Sequence, residues 1–349
     1  MNKYLKNDPL KLLLDPSDPV IRYLALRDLC ASTVLPADLT ESYSALEQSH
    51  YVSSLLGTAK NGIIGDQINF DTYYRGTYWK FAEAVNAGLD CSHDTVRRTS
   101  EFILDRFMAD SGGFILNTNP PVEDACITGE IVRFLLLSGS RDERIHKSVR
   151  WILDHQRHDG GWAYSAGNSL FDIISLLLYR RPGNPEKYDS DSNKPSCIYA
   201  TIACADALSL YKHIDITVHR AIHKAVEYFL ANRLFVDMSD TGISSRLRSG
   251  RNRNFSIPGY PLICQYDTLR GLLFLADNDA FTDRRSGDAF NCLISLQNEN
   301  GLLHFHNRGN GMLYSGREKK NDTIHESKWA TLNMMRLLHK TGNYVCSSR

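Results

Sequence analysis

Three cysteines stand near the starts of three separate apolar segments: Cys126 in Cys-Ile-Thr-Gly-Glu, Cys197 in Cys-Ile-Tyr-Ala-Thr and Cys264 in Cys-Gln-Tyr-Asp-Thr. A helix N-terminus or a neighbouring cation lowers a thiol pKa towards the thiolate, the form that ligates zinc or attacks an electrophile. With Asp124 or Asp267 as a fourth ligand, the three sulfurs make a tetrahedral zinc site, and exchange of one ligand admits a substrate thiol or water. Zinc is therefore the expected cofactor, held by Asp124, Cys126, Cys197 and Cys264. Cysteine also fits wherever helices crowd together, so plain packing is the alternative reading of the same positions.

Carboxylates and aromatics accompany these cysteines. Asp267 lies three residues after Cys264 and Glu130 four after Cys126, so each shares a helical face with its cysteine. Burial raises a carboxylate pKa and suits it to acid or base work, while an ion pair with Arg270 or Arg75 is the structural alternative. Asp267, Glu130 and Tyr74 are the candidate catalytic residues. Tyr73, Trp79, Tyr199, Tyr266, Trp329 and Arg75 are the candidate substrate-binding residues. Aromatic faces stabilise a carbocation or a quaternary ammonium through their quadrupole, and they equally fill a large core. His325 and Glu326 precede the last apolar segment, at a possible cavity mouth.

The elements that must position these residues come from an internal repeat. Residues 102–114 end in Asp-Ser-Gly-Gly-Phe and align with residues 151–162, which end in Asp-Gly-Gly-Trp; a third copy runs from Cys292 to Phe305. Each reads as the end of an amphipathic helix closed by a glycine turn and an aromatic, with Gln156 or Gln297 able to satisfy free backbone groups at the helix end. Between the copies lie segments apolar nearly all round, at 74–87, 125–137, 197–211, 266–276 and 327–338. They read as inner helices, and the charged segments 93–106, 140–157 and 219–233 as an amphipathic outer layer. Ser17-Asp18-Pro19 marks the start of the N-terminal helix, with Ser17 or Asp18 as the cap and Pro19 near the first turn. The predicted fold is all-α, an α/α toroid in one domain over residues 1–349, with insertions at about 164–194 and 238–257.

Lysine plus arginine equals aspartate plus glutamate at 40 each, so no overall field draws the chain to nucleic acid. No apolar run reaches the roughly 20 residues needed to span a bilayer. The apolar stretch within 169–181 could still touch a membrane surface. The N-terminus lacks a signal-peptide core and the eight cysteines show no CxxC, so a cytoplasmic location with reduced thiols is expected.

The string Gln156-Arg-His-Asp-Gly-Gly-Trp162 resembles the QW repeat of triterpene cyclases and the matching repeat in the β subunits of protein prenyltransferases. Asp18-Pro-Val-Ile-Arg-Tyr-Leu-Ala-Leu-Arg-Asp28, Cys126-Ile-Thr-Gly and Lys328-Trp-Ala-Thr-Leu look like stand-alone bacterial prenyltransferase/squalene-oxidase repeat proteins. The resemblance covers most of residues 15–340. Protonation-initiated cyclases of this superfamily carry an Asp-x-Asp-Asp string; none occurs here, the nearest string, Asp189-Ser-Asp191, lacks the adjacent pair, and a hopene-forming type of cyclisation is therefore disfavoured. The prenyltransferase resemblance implies zinc held by an Asp-x-Cys pair, matched by Asp124-Ala-Cys126, and by a His whose place Cys197 takes. Arg75, Arg246, Arg248, Arg251 and Arg253 are then the available diphosphate donors. The resemblance implies an enzyme acting on a largely apolar, isoprenoid-like small molecule by zinc- or thiolate-assisted transfer or cyclisation. A non-catalytic scaffold that binds a ligand or a protein is the alternative.

Overall fold

The computed structural model describes residues 3–116, 121–163, 195–212, 215–235, 255–306 and 324–346. The framework is helical, as the apolar patterning predicts. In chain order its helices are α1 (Leu10–Leu13), α2 (Pro19–Leu29), α3 (Pro36–Glu47), α4 (His50–Leu56), α5 (Thr77–Asn86), α6 (Asp94–Phe107), α7 (Ala125–Leu137), α8 (Arg144–Asp154), α9 (Ile198–Tyr211), α10 (Ile216–Ala231), α11 (Thr268–Asp277), α12 (Gly287–Ser295) and α13 (Lys328–Lys340). Two short antiparallel ladders accompany them. β1 (Ile115–Leu116) pairs with β2 (Val122–Glu123), and β3 (Leu303–His306) pairs with β4 (Ile324–Ser327). The expected insertions at 164–194 and 238–257 lie outside the described residues except for 255–257, as do the 169–181 stretch, Asp189, Asp191 and the arginines at 246–253. Among the described residues no helix is long and apolar enough to cross a membrane.

The chain divides into two compact units, Leu55–Tyr228 and Met1–Ser54 with Phe229–Arg349. In the first, α7 and α9 are buried along almost their whole length. Their backbones meet at Gly129, where a Cβ would stand 2.5 Å from the Ala203 carbonyl carbon and 2.5 Å from the Cys204 nitrogen. Small residues at this crossing let two apolar helices approach more closely than side chains normally permit. On α6, Val96, Ser100, Ile103 and Phe107 are buried at helical spacing while Asp94, Arg97 and Glu101 pair on the exposed side. Such exposed pairs add little stability; the buried stripe holds the helix down.

In the second unit, Asp18 caps α2 by accepting from the Ile21 N–H at 3.3 Å, with Pro19 in the first turn. α13 packs against both α2 and α11, and Arg336 of α13 reaches Asp28 of α2 at 2.5 Å.

A single turn geometry recurs through the chain. The Ala109 N–H donates to Gly113 O, that of Arg157 to Gly161 O and that of Asn298 to Leu302 O, at 2.8, 2.9 and 2.8 Å. Gly112, Gly160 and Gly301 occupy the turn with φ of 106°, 89° and 78°, a region that disfavours any side chain. A Cβ there would also stand 2.6, 2.3 and 2.1 Å from the carbonyl oxygens of Lys147, Lys224 and Asn7. Both conformation and close approach therefore demand glycine. The Gln156 amide donates to Gly160 O and Ala221 O, and that of Gln297 to Tyr4 O and Ile294 O, the backbone role expected of these glutamines.

The residue after each turn is clamped to the next buried helix. Threonine hydroxyls accept the N–H groups of Phe114 (Thr128, 2.8 Å), Trp162 (Thr201, 3.1 Å) and Leu303 (Thr331, 2.8 Å). In return, the carbonyls of Phe114 and Trp162 accept the N–H of Asp124 and Cys197, and Leu303 pairs with Ser327 in the β3–β4 ladder. The third copy thus places Leu303, and not the aromatic Phe305, where Trp162 stands in the second. Replacing Thr128, Thr201 or Thr331 by valine keeps the shape but strands one buried N–H, so each change should lower unfolding free energy by about 1–3 kcal/mol in urea titrations. Losses within about 0.5 kcal/mol of zero at all three sites would refute the clamp.

Candidate functional site

The clamp fixes the first residues of the apolar helices. Asp124 caps α7, Asp267 caps α11 and Ser327 caps α13; each side-chain oxygen accepts the N–H three residues on, from Ile127 at 2.9 Å, Arg270 at 2.8 Å and Ala330 at 3.2 Å. These are N-cap bonds that satisfy otherwise orphaned helix donors. Cys197 holds the same position before α9 without a side-chain cap bond.

The two capping aspartates then part company. Asp267 is fully buried, and its second oxygen accepts the Gly259 N–H at 2.7 Å. Both oxygens serve structure. Asp124 is 1% exposed, and its Oδ2 has no hydrogen-bond partner among the described residues. Burial pushes its pKa up to about 7, offset in part by the N–H groups of Ile127 and Cys126. A buried carboxyl that is half protonated at neutral pH and keeps one oxygen unoccupied has the properties of a general acid or base.

Around it the cysteines do not repeat one position. Cys197 is a cap residue, Cys126 is the second residue of α7, and Cys264 precedes the Asp267 cap by three residues, at φ 50°. The cap positions matching Cys197 are held by Asp124, Asp267 and Ser327. Burial pushes the Cys197 thiol up, and the Asp124 charge adds to the rise, so desolvation outweighs the helix N-terminus that was expected to favour a thiolate. Cys204 is fully buried, donates to Ala125 O at 3.2 Å and is pushed far up by the same cause. Cys126 is buried.

The other candidates fall into separate groups. Glu130 is fully buried on α7 with Arg133 Nη1 at 3.7 Å, and Arg133 Nε lies 3.5 Å from Asp206. Its arginine is thus one turn along its own helix, where Arg270 or Arg75 had been expected. At the start of α5, the Trp79 ring lies 4.8 Å from Tyr73 and 5.4 Å from Tyr74, and its indole N–H donates to Asp71 O. Tyr73 and Arg75 are exposed, and Tyr74 is half-buried at φ 65°. Tyr199 is half-buried on the first turn of α9. In the other unit Tyr266 is fully buried, donates to Leu234 O at 2.9 Å and stacks on Phe229. Trp329 is buried and stacks on Tyr260 at 4.4 Å. Both belong to the core. The side chains of His325 and Glu326 lie outside the described residues.

Among the described residues no group of three or more His, Cys, Asp or Glu side chains is placed to hold a metal ion. The Asp124 charge acts on Cys197 and Cys204, whose thiols burial pushes up.

No family model and no curated protein matches the chain. Among solved structures, a protein from Actinoplanes is 13% identical with a TM-score of 0.43, over 93% of this chain and 89% of that one. The type II terpene cyclase MstE from Scytonema is 14% identical with a TM-score of 0.32, over 84% and 96%. A variant of MstE bound to its product, merosterolic acid A, is 17% identical with a TM-score of 0.31, over 88% and 99%. At these values the reading of the site rests on the chain's own geometry.

The raised pKa of Asp124 has a stability consequence. Its folded value of about 7 exceeds the ordinary value of 3.8, so its favourable contribution is complete below pH 4 and lost as pH rises through 7. The loss amounts to roughly 4 kcal/mol by pH 8. Asp124→Asn keeps a capping side chain and should flatten this slope, being more stable than wild type at pH 8 and less so, or equal, at pH 4. Parallel pH slopes for the two proteins in urea melts would contradict the assignment.

Proposed function

We propose that the chain is a cyclase-like enzyme of the terpene cyclase/prenyltransferase superfamily, an α/α toroid in which Asp124 acts as general acid on a largely apolar, isoprenoid-like molecule. The observation that carries this is the unoccupied, buried Oδ2 of a carboxyl with a pKa near 7. A proton delivered from that oxygen, away from water, generates an electron-deficient carbon that a neighbouring double bond closes upon; loss of a proton back to the carboxylate ends the reaction. General acids contribute most when their pKa lies near the operating pH. The QW-like string at Gln156–Trp162 and the cap geometry it supports favour this superfamily over an unrelated helical scaffold.

Zinc- or thiolate-assisted transfer, the other reading of the sequence, has less support, because among the described residues no three metal-ligating side chains are placed around one ion. The aromatic group at the start of α5, Tyr73, Tyr74 and Trp79, is the available surface for an apolar or cationic intermediate.

The reaction is tested by incubating the protein with prenyl alcohols, prenyl diphosphates and prenylated aromatic acids in deuterated water, and analysing products by mass spectrometry. Wild type should yield a cyclised product carrying one deuterium at the protonated carbon, and Asp124→Asn should lower its formation at least about 100-fold. Equal turnover by the variant, or product without deuterium, would overturn the proposal.

A further inference from the structure

A second pair of chemically active side chains lies far from Asp124 in sequence, within the unit formed by Met1–Ser54 and Phe229–Arg349. Cys30 is the C-cap of α2, and Cys346 lies in the irregular segment that follows α13. Their sulfurs are 2.6 Å apart, and both residues are buried. That separation is inside van der Waals contact for two sulfurs and about 0.6 Å beyond a disulfide bond length. The surroundings hold the two segments in place. Arg336 of α13 reaches Asp28, which also pairs with Arg27, and the Thr33 hydroxyl lies 3.1 Å from Cys30 O and 3.7 Å from Cys346 Sγ.

We propose that Cys30 and Cys346 are a reversible oxidation site, closing to a disulfide at the expense of a low-molecular-weight disulfide such as oxidised glutathione. Opening of the irregular segment, whose Val345 is 74% exposed, brings Cys346 to the oxidant. Its thiolate attacks one oxidant sulfur, forming a mixed disulfide and expelling one small thiolate. On reclosure the Cys30 thiolate attacks Cys346 Sγ, forming the protein disulfide and expelling the second. The two protein thiols lose two electrons and two protons, and the oxidant is reduced to two thiols. The product ties α2 to the segment behind α13 across a loop of more than three hundred residues, so it constrains the unfolded chain strongly.

The test treats the full chain with oxidised glutathione, blocks remaining thiols with an alkylating reagent and maps non-reduced peptides by mass spectrometry. A Cys30–Cys346 cross-linked peptide that vanishes on reduction is expected, with Cys126 and Cys204 recovered alkylated after denaturation. The thermal midpoint should rise by on the order of 5 °C on oxidation, with no rise in Cys346→Ser. Recovery of Cys30 and Cys346 as alkylated thiols, or as glutathione adducts without the cross-link, overturns the proposal. The peptide map uses wild-type protein and so stands whether or not the variant folds.

Discussion

The structure depends on one hydrogen bond made again and again: the hydroxyl of a threonine inside a buried helix accepts the N–H of the residue that leaves a glycine turn. Without that acceptor, the exit of each turn would bury a backbone donor with nothing to satisfy it, at a cost comparable to a substantial part of a domain's stability. With it, the end of an amphipathic helix and the beginning of an apolar one are locked together. The glycine supplies the other half of the constraint by resting against the carbonyl of the next outer segment, at Lys147, Lys224 and Asn7.

The same lock decides which residue can do chemistry. It places a cap residue at the heads of α7, α9 and α13, in a buried setting where a charged group is costly. Where the preceding loop returns an N–H, as Gly259 does to Asp267, the carboxylate is satisfied and inert. At Asp124 the second oxygen receives none, and the group moves towards neutrality. Ionisation of Asp124 therefore weakens the fold, and the proposed acid is the form in which the fold is most stable.

The helices were legible because their patterning is strong. The apolar segment at 125–137 coincides with α7, and Asp18 with Pro19 opens α2 as expected. The turns were legible through their glycines, although the third copy misled by one feature: Phe305 drew attention as an aromatic while Leu303 holds the equivalent backbone position. The ladders of two and four residues are too short to carry a period. Three cysteines near helix starts looked alike in one dimension, yet they stand at three different places relative to their caps. The special state of Asp124 could not be read at all, since Asp267 has the same residue type and the same capping role; only the path of the loop just before Asp267, which returns the Gly259 N–H, separates them. Glu130 finds Arg133 on its own helix, a partner visible at spacing i,i+3 and overlooked in favour of remote arginines.

Because the turn exit and the helix cap are tied directly to one another, whatever chain lies between them is free to differ in length. The intervals from Phe114 to Asp124, Trp162 to Cys197 and Leu303 to Ser327 span ten, thirty-five and twenty-four residues, yet all close on the same geometry. Stretching such a segment threefold costs only about 1 kcal/mol of closure entropy. The framework therefore behaves like a loom whose warp is fixed: new segments can be woven in at those openings without disturbing the helices around them.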